Sequence, residues 1–140
     1  FDKYNPDTED VRLYKNLVLE LMSQEGVKDC GRISQEQLMK EKAKASIHYY
    51  VGDFQEIDCI SVRESVSQHT IPVVSDECVV FREKEYCTRI EGDPHIKETH
   101  IRGAEKIIEI LSNLEQYRNA LKLPVLETWE NVASQWLKLF

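Results

Sequence analysis

The stretch "ASIHYYVGDFQEIDCISVRESVSQHTIPVVS", Ala45–Ser75, decides how this chain reads. Residues 45–51 are rich in β-branched and aromatic side chains and stop at Gly52-Asp53, the pattern of a strand closed by a turn. At the other end, Ile71–Ser75 is a short continuous apolar run, suited to a strand buried on both faces. Between them the sequence predicts a helix from about Cys59 to Gln68. Strand, helix and strand in that order imply a right-handed crossover and parallel pairing. Glu56 and Glu64, with seven residues between them, bracket the start of the helix. That start lies beyond the carboxyl end of the first strand, where open α/β sheets take up ligands.

Working outward, Val11, Tyr14, Leu17, Val18, Leu21 and Met22 recur at helical spacing, and Gly26 follows as a stop. "VKDCGRI", Val27–Ile33, is a short strand candidate, and Ser34 with Gln37 has the spacing of a capping box opening a helix in "QEQLMKEKAKA". A further strand is expected in "EYCTRIE", ended by Gly92-Asp93-Pro94. From Lys97 onward Ile101, Ala104, Ile108 and Leu111 mark one long helix; after Pro124, Trp129, Val132, Ala133, Trp136, Leu137 and Phe140 mark another. Strands alternating with helices predict an α/β fold: a Rossmann-like three-layer domain with a mostly parallel sheet covered on both faces.

At 140 residues, 41% hydrophobic and 31% charged, the chain has ordinary globular composition and the length of one domain, 1–140. A net charge of −7 leaves no basic footprint for phosphate backbones, which argues against nucleic acid as a partner. No apolar run approaches the roughly 20 residues a transmembrane helix requires, and "FDKYNPDTED" lacks the features of a signal peptide. The four cysteines, Cys30, Cys59, Cys78 and Cys87, form no C-x-x-C pair. They read as reduced thiols in a cytoplasmic protein.

The chemistry of the central stretch follows from its helix start. The amides of Ile60, Ser61 and Val62 have no partner within the helix, and with the positive end of the helix dipole they suit a phosphate; the Ser61 hydroxyl adds a donor. The Glu64 carboxylate, an acceptor only, suits a pair of sugar hydroxyls, and Glu56 in the loop can face a reacting group. From spacing alone, the plainer alternative is a solvated loop residue and a surface helix residue.

"KAKASIHYYVGDFQEIDCISVRESVSQHTIPVVS" resembles the carboxyl-terminal Rossmann half of retaining GT-B glycosyltransferases, in which an apolar strand is followed by E-x7-E opening a helix, then a small residue and P-V-V. The likeness extends back through "GRISQEQLMKEKAKA" and forward to "TWENVASQWLKLF". It implies a donor-binding domain that transfers a sugar from a nucleoside diphosphate sugar to an acceptor hydroxyl. Glu64 would hold the ribose, and Glu56, the catalytic-site glutamate, would contact and orient the transferred sugar. The turn at Cys59, Ile60, Ser61 and Val62 would hold the diphosphate, and backbone groups at Arg32 and Ile33 the base. No metal or other cofactor is implied. The implied partners are the nucleotide-sugar donor, an acceptor (glycan, lipid, protein or small molecule) and an amino-terminal acceptor-binding domain. The family's Rossmann half opens with two further strands and a basic Arg and Lys pair, so the resemblance makes this chain an incomplete part of a two-domain enzyme.

The sequence departs from the family pattern at Cys59, where glycine is common, at Asp58, where an aromatic is usual, and at His69, where glycine is expected. An Asp58 carboxylate repels phosphate unless it turns away, and a left-handed His69 would cost about 1 kcal/mol. Two other function classes stay open: a non-catalytic α/β binding or assembly module, and a phosphorylase or epimerase of the same architecture. His48, His69, His95 and His100 form no H-E-x-x-H pattern and read as core or solvated histidines. Cys59 at a helix start has the setting of a nucleophile but no base identified beside it.

Overall fold

The computed structural model describes residues 8–124 and 128–139. The described residues form two compact units, one up to Ser34 and the other from Gln35 onward.

The first unit holds one helix, α1 (Glu9–Met22). Thr8 caps it, its Oγ1 accepting from the Val11 amide at 3.4 Å, and Glu9 and Asp10 complement the dipole in the first turn. Downstream, the expected strand at 27–33 does not form. The local chemistry explains why. The Gly31 amide donates to Asp29 Oδ1 at 2.7 Å and Gly31 takes φ +56°, an Asx turn in the middle of the segment. An aspartate and a glycine outweigh the apolar ends Val27 and Ile33.

The second unit is a Rossmann-like α/β fold. After α2 (Gln35–Lys44) it runs β1 (Ile47–Tyr50), α3 (Ile60–Ser67), β2 (Ile71–Ser75), a 3-10 turn at Val79–Phe81, β3 (Thr88–Ile90), α4 (Lys97–Ser112), α5 (Leu114–Ala120) and α6 (Trp129–Leu137). The sheet order is β1-β2-β3, all parallel, with Ile47 opposite Ile71 and Ile90 opposite Ser75. Every residue of β2 is buried, as its apolar run requires.

A proline in a central strand needs accounting, because it removes a ladder donor. The Ile71 amide donates to Ser46 O, so Pro72 presents its missing donor toward β3, and β3 begins only opposite Val73.

Side chains alternate across β2 and divide the core in two. On one face Val74 meets Cys59, Val62 and Val66 around α3, with Cys78 and Phe81. On the other, Ile71 and Val73 meet Ile90 and Ile110, joined by Leu114 and Tyr117 of α5. Helices thus cover both faces of the sheet. The helix expected from Lys97 onward is α4, which holds Ile101, Ala104, Ile108 and Leu111 and ends before Asn113, whose side chain donates to Glu109 O at 3.0 Å and whose own φ/ψ is −131°/32°. This local bond competes with helix continuation. Among the described residues no helix is long and apolar enough to cross a membrane.

Candidate functional site

The loop from β1 to α3 carries Glu56 beyond the carboxyl end of β1. It is tied at several points: Gln55 Nε2 donates to Asp53 O and Glu77 O, both at 3.2 Å, and Asp53 pairs with His95 at 2.9 Å. The Tyr50 hydroxyl at the end of β1 donates to Glu56 Oε1 at 2.7 Å. That hydrogen bond, with burial and the glutamate's charge, pushes the Tyr50 phenol up to about 12, so it remains a donor throughout the neutral range. Glu56 is half-buried and held toward the core cluster in which Tyr50 meets Phe81 edge-on.

Cys59 is the N-cap of α3, with extended backbone and no side-chain cap bond, so the first amides of the helix are not capped by its sulfur. Burial pushes the Cys59 thiol up; the amides of Val62 and Ser61 facing the sulfur only partly offset this, and nearby Glu56 adds to the rise. A thiol so placed is a packing group and not a nucleophile. Asp58, the carboxylate at the mouth of the helix, turns to Arg63 Nη1 at 2.6 Å. Ile60 is exposed while Val62 is fully buried, so of this turn the Ile60 and Ser61 side chains face outward.

Glu64 is bound by α2. Gln35 Nε2 donates to its Oε1 at 2.6 Å and Lys42 Nζ to its Oε2 at 2.8 Å. The same ammonium donates to Ser61 O at 2.9 Å and to Ser61 Oγ at 3.0 Å. Ser61 and Glu64, two of the residues expected in the site, are thereby joined through one group, and Glu56 sits with Cys59 on the core side of the loop. The sequence reading missed Lys42 and Gln35. Seven residues apart on one helix, they share the face that carries half-buried Leu38, but nothing in the sequence aims that face at Glu64. Arg32 and Ile33 belong to the first unit, exposed and half-buried respectively; the strand expected to present them is replaced by the Asp29–Gly31 turn.

Two small clefts flank this cluster. One, of about 240 Å³, is lined by Ile60, Arg63, Glu64 and Ser67. The other, of about 320 Å³, runs between α2, β1 and α3 past Lys42, His48, Ser61, Ser65 and Thr70. In it the Ser65 hydroxyl donates to Ser61 O at 3.0 Å and so accepts from His48 Nδ1 at 2.8 Å. Burial and then the Lys42 charge hold His48 below the usual imidazole range. A larger cleft, about 670 Å³, opens beyond β3 and holds none of the expected residues. In it Arg102 Nη2 donates to Glu91 O and Thr99 Oγ1, and Lys106 pairs with Glu109. Among the described residues no group of three or more His, Cys, Asp or Glu side chains stands placed to hold a metal ion.

No protein-family model, curated protein or solved structure matches the chain.

Proposed function

We propose that the chain binds a nucleoside diphosphate sugar and forms the donor half of a retaining, GT-B-type glycosyltransferase of the cytoplasm. The observation that supports this reading best is the arrangement at the carboxyl end of β1. There Glu56 lies in the loop, the first amides of α3 have no side-chain cap, and Ser61 and Glu64 are linked through Lys42. Under this reading the α3 amides and Ser61 take the diphosphate and stabilise it as a leaving group. Glu64 takes the ribose hydroxyls, and Glu56, fixed by Tyr50, orients the sugar. Transfer requires an acceptor-binding half that closes over the donor.

A second reading is a binding or assembly module that retains the fold without transferring sugar. It is favoured by the carboxylates themselves, since both Glu56 and Glu64 already accept bonds from the chain's own side chains. A thermal-shift panel of ADP, GDP, UDP and their sugar conjugates separates the two. A ligand held on the folded state raises stability by RT ln(1 + [L]/Kd), about 2.7 kcal/mol at a hundredfold excess over Kd. A shift with one base, shared by its diphosphate and its sugar conjugate, supports the donor half; a panel with no shift at millimolar ligand leaves the module.

A further inference from the structure

We propose that Lys42 is a positioning residue, its single ammonium presetting both the diphosphate end and the ribose end of the donor site. The inference rests on the donor-binding reading above and adds a residue to it. Lys42 Nζ has three protons and three acceptors, Ser61 O, Ser61 Oγ and Glu64 Oε2, all within 3.0 Å. With every proton spent, the ammonium orients its neighbours and does not itself bind a ligand.

Its effect on each neighbour is specific. Ser61 Oγ accepts from Lys42, which leaves the Ser61 hydroxyl proton free to donate to a phosphate oxygen. A carboxylate offers about four lone-pair positions. Gln35 occupies one on Glu64 Oε1 and Lys42 one on Oε2, so one position remains on each oxygen. Two adjacent acceptors with no donor between them match a vicinal diol, whose hydroxyls both donate. The arrangement is fixed in place: the Lys42 side chain is only 11% exposed and Glu64 25%. The Lys42 carbonyl accepts from Thr70 Oγ1 at 2.6 Å, anchoring this turn of α2 to the residue that leads into β2.

The test compares the affinity of the protein for ADP, GDP and UDP with that for their 2′,3′-dideoxy counterparts, and reads the ribose preference as a ratio. Lys42→Met is expected to cut that preference roughly tenfold or more, the scale of a lost charged hydrogen bond, and Lys42→Arg to restore most of it. If Lys42→Met does not fold, Lys42→Gln, which keeps a donor and loses the charge, decides on the same ratio. A variant that melts lower yet keeps the full ribose preference makes Lys42 a tie between helices and overturns the inference. Glu64→Gln separates the two levels. A preference lost in Glu64→Gln but intact in Lys42→Met removes Lys42 alone. A preference intact in Glu64→Gln, or wild-type protein that binds none of these nucleotides, removes the donor-site reading and the inference with it.

Discussion

His69 takes φ +60° immediately after α3, where its amide donates to Val66 O at 2.9 Å and the Thr70 amide to Ser65 O at 3.0 Å. These are the two bonds of a Schellman cap, a position glycine fills without strain and histidine does not. His69→Gly should therefore stabilise the fold by about 1 kcal/mol, seen as a higher urea midpoint at constant m-value; a lower midpoint would show that the imidazole does something the backbone geometry does not reveal. The cost of a left-handed histidine could be anticipated from the sequence, since the resemblance expects glycine there. The resemblance also singles out Glu56 and Glu64, which their spacing around a helix start alone does not. Their partners could not be picked out: Tyr50, Gln35 and Lys42 become neighbours only when α2 packs on α3 and β1 ends beside the loop. The two glutamates should separate in their effects. Under the proposed donor-half function, Glu64→Gln is expected to weaken nucleoside diphosphate binding by about 1 to 3 kcal/mol, whereas Glu56→Gln should lower the turnover of a complete transferase more than it lowers nucleotide affinity. Equal loss of nucleotide affinity in both variants would end that division of roles.

At the scale of elements, periodicity was sufficient where burial is strong. The predicted strand Ile71–Ser75 coincides with β2, and Cys59–Gln68 with α3 and its two caps. It failed where a single polar side chain rewrites the backbone, at Asp29 before Gly31. This is a short-range bond that an apolar pattern does not register. The pairing of β1 with α3 carries a pH dependence. His48 on β1 is pushed down, first by burial and then by Lys42, so the native state favours the neutral ring while the unfolded chain takes up a proton near pH 6.5. Its contribution to stability is present above that pH and is lost as pH falls below it toward the lower, folded-state value. His95, raised by its bond to Asp53, works in the opposite sense, so only a difference measurement isolates His48. Urea midpoints of wild type and His48→Gln should diverge less at pH 5.5 than at pH 7.5; divergence that grows on acidification would reverse the assigned direction.

Among the described residues burial is concentrated on the two faces of one strand. Val73 and Val74 are fully buried on opposite sides of β2, as are Val62 and Val66 on α3 and Ile110 on α4. By contrast α1 and α6 contain no buried residue, and their large aromatic side chains lie open: Tyr14 is 68% exposed, Trp129 85% and Trp136 62%. A helix of 14 residues and one of 9 are too short to persist on backbone propensity, since isolated helices below about 12 to 15 residues are marginal in water. Thr8 and Thr128 cap them, each worth about 1 kcal/mol, which shifts that balance without reversing it. Amide hydrogen exchange should therefore be graded. The amides of β2 and α3 should open only with global unfolding, while those of α1 and α6 exchange faster by local fraying and with little sensitivity to denaturant. The experiment is run at low micromolar concentration and repeated at a hundredfold higher. Uniform protection of α6 with β2 at the lower concentration would mean that the Trp129 and Trp136 face is covered in the monomer, contrary to the exposure of both side chains. Protection that appears only at the higher concentration would instead mark that face as the surface through which copies of the chain meet.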